Sequence, residues 1–366
     1  MLENKKILLV VGSLNQGGAE FQLLSLARLL QSRGLNVEVF AITDYDYFKP
    51  YVKQHQLKYS CVENKGSDFY RVCKAASIIR SKKPDLVISY IKKVSQVAIL
   101  ARLYAAFSFK LITSERTSLI KPRHDLFYFN LSRLANIITV NSVSKLNYIR
   151  KRFPFLSKKA VFMPNIIDIE KYRSIVHVPA ENNIRLSFVG RISPEKNLLN
   201  LVKAIGILKN KNYKIQLRLT GAANNKAYFA EINQLISDEG LGEEVIYSGP
   251  VTEVKEVYRN TDLLCLVSIF EGFSNVLSEA ICSGVPVLAS DIEENRFLVK
   301  ENENGFLVQP GDPESMAAGI EKFLLLSPAG KAAIAANNKA KAQELFNEER
   351  IYQQYLDLFK QVGMYH

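Results

Sequence analysis

A chain of 366 residues with 48% hydrophobic and 23% charged residues has the composition of a folded protein of two or three domains, which excludes a disordered or low-complexity chain. Its net charge of +12 is unevenly spread: residues 1–170 hold 27 Lys or Arg against 12 Asp or Glu and residues 171–366 hold 21 against 24, so the whole basic excess lies in the first half. Such a half suits an anionic partner, whether nucleic acid, membrane or substrate, although a solvated basic surface has the same composition.

Met1-Leu2-Glu3-Asn4-Lys5-Lys6 leads straight into the strand-like run Ile7 to Val11, so no secretory leader is read there. The longest apolar helical stretch, Val97 to Phe109, is broken by Arg102 and is too short to span a bilayer. Cys61, Cys73, Cys265 and Cys282 lack paired metal spacing, and four reduced structural thiols of a cytoplasmic protein are expected.

The first half alternates strands, predicted at 5–11, 37–42, 58–62, 85–90, 110–115, 136–141 and 160–164, with helices at 18–33, 68–82, 95–106, 123–134 and 143–152. Strands as apolar as Asp85-Leu86-Val87-Ile88-Ser89 and Asn136-Ile137-Ile138-Thr139-Val140 are covered on both faces, which predicts an α/β fold with a doubly wound parallel sheet. The first strand runs into Gly12-Ser13-Leu14-Asn15-Gln16-Gly17-Gly18-Ala19-Glu20. There Gly17 and Gly18 let backbone amides approach an anionic ligand, or form only a tight turn. The spacing is neither the dinucleotide fingerprint nor a Walker A loop. Asp44-Tyr45-Asp46 has the spacing of a metal–diphosphate motif but is read as a surface loop. From Lys145 to Lys159 six cations and no acid are interleaved with Tyr148, Phe153 and Phe155, a composition that suits an anionic membrane surface or a solvated helix end.

The polar stretch from Pro164 to Asn183 breaks this rhythm. It divides the chain into a basic first domain at 1–168, a linker at 169–183 and a second domain at 184–345. Strands follow at 185–190, 215–220, 245–248, 262–267, 285–290 and 305–308. Helices at 328–346 and 348–362 close the chain. Tyr352, Tyr355 and Phe359 recur at helical spacing in the last, so residues 346–366 are expected to pack on a domain surface or cross back to the first domain.

The richest stretch runs from Glu271 to Asp291. It reads as a loop, a short helix capped by Ser274 or Asn275 and stopped by Gly284 and Pro286, and a buried strand. Taken as mostly helical, it separates Glu271 and Glu279 by on the order of 10 Å along the axis. The helix N-terminus between them attracts anions. A long ligand with a central phosphate and hydroxyl-rich ends, such as a nucleotide diphosphate sugar, has this layout. In Gly190-Arg191-Ile192-Ser193-Pro194-Glu195-Lys196-Asn197, Arg191 and Lys196 flank a turn from which both cations can reach one site and neutralise a leaving diphosphate. Gly221 and Gly249 end strands where a nucleotide would lie. None of the four histidines forms a ligand pair, so no catalytic metal is expected.

With these motifs the chain resembles family 4 of the retaining nucleotide-sugar glycosyltransferases, whose GT-B fold sets two Rossmann-like domains facing across a cleft. The resemblance covers essentially the whole chain. It rests most on Glu271 to Asp291 and Gly190 to Asn197, with support from Gly17-Gly18, Met163 to Asp168, Ser290-Asp291, Asn295-Arg296 and Asn304 to Pro313. It implies that Glu279 holds the donor ribose, that Glu271 with Gly272, Phe273, Ser274 and Asn275 holds the transferred sugar, and that amides near Val276 and Leu277 join Arg191 and Lys196 on the diphosphate. Gly17, Gly18, Gly190, Gly221 and Gly249 would line the donor. Transfer would be metal-independent and cofactor-free, by front-face attack. Where many relatives carry a histidine, Thr113-Ser114-Glu115-Arg116-Thr117 stands here, which implies an acceptor role for Glu115 and Arg116.

Relatives beginning Ser-Leu-Asn-x-Gly-Gly-Ala-Glu extend polyprenyl-diphosphate-linked oligosaccharides on the inner face of the bacterial plasma membrane. The resemblance therefore implies a UDP-sugar donor, a lipid-linked glycan acceptor and peripheral attachment to an anionic membrane. Two alternatives stay open: a nucleotide-sugar epimerase or hydrolase on the same fold, and a basic nucleic-acid-binding protein, for which no recognised motif is present.

Overall fold

The computed structural model describes residues 2–62, 67–103, 108–117, 119–178 and 183–365. Pro179 of the expected linker and the end of the helix expected at 95–106 lie outside them. Two compact units form, one of Met1–Ile166 with Glu348–His366, the other of Ile167–Asn347.

The first unit is a seven-stranded sheet of β1 Lys6–Val11, β2 Asn36–Ala41, β3 Lys58–Cys61, β4 Leu86–Tyr90, β5 Lys110–Glu115, β6 Ile137–Val140 and β7 Ala160–Phe162. All pairings are parallel, in the order β3-β2-β1-β4-β5-β6-β7. Between and after its strands run α1 Gly18–Ser32, α2 Lys49–Gln54, α3 Asp68–Ser81, α4 Lys92–Leu103, α5 Pro122–Leu131 and α6 Val143–Arg152. The two-residue period of β1 explains the double winding. Ile7, Leu9 and Val11 enter one core with Leu23, Leu26 and Leu30 of α1, whereas Leu8 and Val10 enter the opposite core with Val94 and Ala98 of α4.

The second unit opens with α7 Ile169–Arg173 and repeats the plan with β8 Ile184–Val189, α8 Leu198–Asn210, β9 Ile215–Thr220, α9 Lys226–Asp238, β10 Val245–Gly249, α10 Val254–Arg259, β11 Leu263–Leu266, α11 Asn275–Ser283, β12 Val287–Ser290, α12 Glu293–Leu298, β13 Gly305–Val308, α13 Pro313–Leu324 and α14 Pro328–Phe346. Its order, β10-β9-β8-β11-β12-β13, reverses direction at β8/β11. In such sheets the crevice outside the strands' carboxyl ends at that reversal is where ligands bind.

The linker expected at 169–183 needs correction, because its first residues form α7. The Asp168 side chain caps this helix by accepting from the Lys171 N–H, and Ile169 and Tyr172 are buried. A single turn with two apolar residues three apart is enough to dock, and its charged remainder disguised it as linker. The last helix, α15 Glu348–Gln361, lies in the first unit: Ile351, Tyr355, Leu358 and Phe359 share a core with Ile7 and Leu23.

Candidate active site

The second unit's site begins as bare backbone. Gly190, Gly221 and Gly249 stand side by side just past or at the ends of β8, β9 and β10, with the Gly190 N–H donating to Thr220 O and the Gly221 N–H to Gly249 O, each at 2.9 Å. Gly221 has φ +143°, and a Cβ there would lie 1.8 Å from the Gly190 carbonyl oxygen. Only glycine allows this approach, so these strand ends form a side-chain-free rim.

The loop after β8 is fastened to the end of β11. Asn197, in the left-handed region at φ 59°, donates through Nδ2 to Val267 O at 3.1 Å, and the Ile269 N–H donates to Glu195 O at 2.9 Å. These fastenings deliver Lys196 to Glu271, with Nζ 2.5 Å from Oε1. The Ser268 hydroxyl donates to that same oxygen at 2.7 Å. The lysine and glutamate side chains are only 16% and 13% exposed, so the pair is sheltered from screening. Arg191 does not join them. Its side chain is 75% exposed and pairs with Glu195 at 3.7 Å.

The helix expected within 271–291 begins later than its two glutamates imply. Ser274 is the N-cap of α11, its Oγ accepting from the Leu277 N–H at 3.2 Å, and Gly284 ends the helix at φ +76°. Glu271 therefore sits in the loop after β11, not on the helix, and the spacing of about 10 Å along one axis does not apply. Asn275 and Val276 form the helix's first turn, where backbone N–H groups face outward. The Phe273 ring packs against Phe297 and Phe346, with centroids 6.1 Å apart in each case, leaving its backbone and that of Gly272 as the parts that can face a ligand.

Glu279, one turn further on, is held differently. The Tyr258 hydroxyl donates to its Oε2 at 2.8 Å. Burial pushes the Glu279 carboxyl up from the ordinary range, against hydrogen bonds from Tyr258 and Tyr172 that pull it down. Neither tyrosine is apparent as a site residue in sequence: Tyr258 follows Val254 at helical spacing and reads as core. Ser290 and Asn295 brace the same strand ends, through Ser290 Oγ to Ser268 O at 2.6 Å and Asn295 Nδ2 to Ser290 O at 2.8 Å.

In the first unit, Gly17 is the N-cap of α1 and Gly18 its first residue, and a Cβ on Gly17 would strike the Glu20 carboxylate at 2.1 Å. Glu115 and Arg116 are drawn inward. Glu115 is 1% exposed, with Lys92 Nζ 3.1 Å from its Oε2. Lys92 also reaches Asp125 at 2.5 Å, which Lys145 meets from the other side at 3.3 Å, closing a quartet of two lysines and two carboxylates in which Lys92 alone stays partly exposed. Burial pushes the Glu115 carboxyl up, with Lys92 and Lys145 opposing it. The Arg116 guanidinium lies 4.1 Å over the Tyr90 ring, bonded to the Tyr90 hydroxyl and to Asn165 Oδ1.

Lys145 and Phe153 are thus buried, which corrects the reading of 145–159 as one surface run; its exposed cations are Arg150, Lys151, Arg152 and Lys158. Lys49 binds both Asp44 and Asp46, at 2.9 and 2.6 Å. Among the described residues no three His, Cys, Asp or Glu side chains converge as metal ligands, and no helix is long and apolar enough to cross a membrane.

Two family models match in succession, "Glycosyltransferase Family 4" over residues 16–171 and "Glycosyl transferases group 1" over 168–342. The chain is 27% identical, over 93% of its own length and 94% of the relative's, to the N-acetylgalactosamine-N,N'-diacetylbacillosaminyl-diphospho-undecaprenol 4-alpha-N-acetylgalactosaminyltransferase of Campylobacter jejuni. To an uncharacterized glycosyltransferase of Methanocaldococcus jannaschii it is 28% identical, but there the match spans 47% of this chain and 44% of the relative. The crystal structure of Anabaena HepE in complex with UDP and glucose shares the fold, with TM-score 0.84 and 23% identity over 98% of this chain and all of that one. Two Rossmann-like parallel sheets, two successive family matches and GT-B structural neighbours agree: the chain belongs to the family 4 glycosyltransferases of GT-B fold.

Proposed function

We propose that this glycosyltransferase moves a hexose or N-acetylhexosamine, with retention and without a metal, from a UDP-sugar to a hydroxyl of a polyprenyl-diphosphate-linked oligosaccharide. The observation that carries the reading is the sheltered Lys196–Glu271 pair beside the α11 N-terminus and the glycine rim. Fixed cations and amide dipoles aimed at a leaving group stabilise the charge that develops on it without reorganisation. Lys196 and the first amides of α11 take the β-phosphate side of the donor, and Arg191, free to swing from the surface, closes on it. Glu271, oriented by Ser268 and Lys196, accepts from the sugar hydroxyls, and Glu279 accepts from the ribose. The C1–O bond to the diphosphate breaks as the acceptor oxygen bonds C1 on the same face, and the departing phosphate oxygen takes the acceptor's proton.

The first unit takes the acceptor. There Glu115, 1% exposed and paired with Lys92, serves the acceptor by orienting Lys92, the partly exposed member of the quartet. The relative acting on a diphospho-undecaprenol acceptor over nearly the same length supports a lipid-linked substrate. Peripheral attachment is supported by α5 and the loop before it, where Leu119, Ile120, Leu126 and Phe127 are exposed among Lys121, Arg123 and His124. We place the enzyme on the inner face of a bacterial plasma membrane, in polysaccharide or glycan assembly.

A panel of UDP- and GDP-sugars, with EDTA and with anionic vesicles carrying polyprenyl-diphosphate sugar, tests this. Lipid-dependent transfer that survives EDTA, forms an α-linkage and collapses in Glu271→Gln is expected. A metal requirement, or transfer indifferent to Glu271, overturns the reading.

A further inference from the structure

The two site glutamates have opposite kinds of partner. Glu271 is charge-paired to Lys196, whereas Glu279 is bonded by the Tyr258 phenol. Tyr258 is fully buried, and its hydroxyl lies 2.8 Å from Glu279 Oε2 and 3.3 Å from Val276 O. With one proton to give, it serves the closer and charged acceptor. Tyr172 of α7 meets the Tyr258 ring edge-on, centroids 5.9 Å apart at 71°, and its phenol lies beside the same carboxylate. Both phenols approach from the packed α7/α10 side, and Glu279 keeps part of its surface open.

A neutral donor holds a carboxylate in place without cancelling its charge. A lysine in the same position would cancel it. The retained charge makes Glu279 a strong acceptor for further neutral donors, and two adjacent hydroxyls of a sugar ring match the two oxygens of one carboxylate.

We propose that Tyr258 and Tyr172 are positioning residues for the donor nucleotide, fixing Glu279 as an acceptor for the ribose diol. This deepens the reading of Glu279 given above and rests on it. Their loss weakens nucleotide binding only through the ribose hydroxyls, which separates positioning from general support of the fold.

The test is calorimetric binding of UDP, 2′-deoxy-UDP and 3′-deoxy-UDP to the full chain as wild type, Glu279→Ala, Tyr258→Phe and Tyr172→Phe. Tyr258→Phe is expected to weaken UDP by roughly tenfold, the worth of one hydrogen bond to a charged group. It should leave at least one deoxy analogue within about twofold of its wild-type value, with kcat at saturating donor unchanged within about twofold, because the phenol acts on binding alone. Equal weakening of UDP and both deoxy analogues would mean a structural role and overturn the proposal. So would unaltered UDP binding in both tyrosine variants when Glu279→Ala abolishes the preference for ribose. If Glu279→Ala leaves that preference intact, or wild type does not bind UDP, the ribose role itself fails and the positioning role with it. Tyr172→Phe carries the same comparison should Tyr258→Phe not fold.

Discussion

Replacing Lys196 by Met, singly and together with Glu271→Gln, tests the central pair. At the observed 2.5 Å separation the gross attraction at an effective dielectric of 20 is about 7 kcal/mol. Withdrawing two largely sheltered charges from water takes back more than half of that, leaving a coupling of about 2–3 kcal/mol. Lys196→Met alone also leaves the Glu271 carboxylate with only the Ser268 hydroxyl on Oε1, an uncompensated charge in a sheltered place. Its thermal midpoint should fall by about 4–12 °C, taking about 2–4 °C per kcal/mol for a unit of this size. The double variant should recover most of the loss, since both charges are then gone. Transfer should behave differently, with kcat down by about 10²–10³ in both variants because the cation facing the diphosphate is absent in each. Calorimetric unfolding and steady-state transfer on wild type, Lys196→Met, Glu271→Gln and the double variant measure the two effects. A coupling below about 0.5 kcal/mol, or a double variant that recovers activity as it recovers stability, would refute the reasoning.

Gly221→Ala should cost about 3 kcal/mol or more, since its Cβ would have to displace the Gly190 carbonyl from 1.8 Å at φ +143°, and an unchanged unfolding temperature would count against the rim. Glu279→Gln should stabilise the chain at pH 8 while weakening UDP binding. The raised folded-state pKa means that unfolded Glu279 ionises first as pH climbs, so wild type loses stability from the ordinary carboxylate range up to the folded value; the difference between the two proteins should vanish near pH 4 and persist at high pH. A midpoint difference that grows on acidification would contradict that sign. Leu126→Ser with Phe127→Ser should reduce binding to phosphatidylglycerol vesicles by at least about tenfold, from the loss of two insertable side chains. Lys121→Ser with Arg123→Ser should flatten the salt dependence instead. Vesicle sedimentation unaffected by the first pair would remove α5 from the membrane.

The exposed Leu126 and Phe127 also show why the proposed membrane face is hard to read from sequence. Between Lys145 and Lys159 the eye follows charge density, yet Lys145 is consumed by Asp125 and Phe153 by the core. In α5 the useful pattern is the reverse: Asp125, Tyr128 and Phe129 turn inward and the apolar pair turns out. Helical periodicity identifies two faces, but a helix with one acid among its buried residues offers two rival ways to be placed, and only the lysines waiting inside decide between them.

Much of this protein is local, and that part was legible in the chain. The strands expected at 5–11, 110–115 and 215–220 appear as β1, β5 and β9, and the loop, cap, helix and glycine stop around Ser274 form as their side chains dictate, because strand periodicity and capping involve residues a few positions apart. Family membership followed from such short motifs. What tertiary structure alone decided is who meets whom across long stretches of chain. Lys196 finds Glu271 across 75 positions because β8 and β11 are neighbours at the sheet's reversal point. Tyr258 becomes the partner of Glu279 because α10 packs beside α11, and Glu115 vanishes into a quartet assembled from the residues that follow three strands. A charged or phenolic side chain looks the same in sequence whether water or an opposite charge completes it, and only the order of the strands determines which it will be.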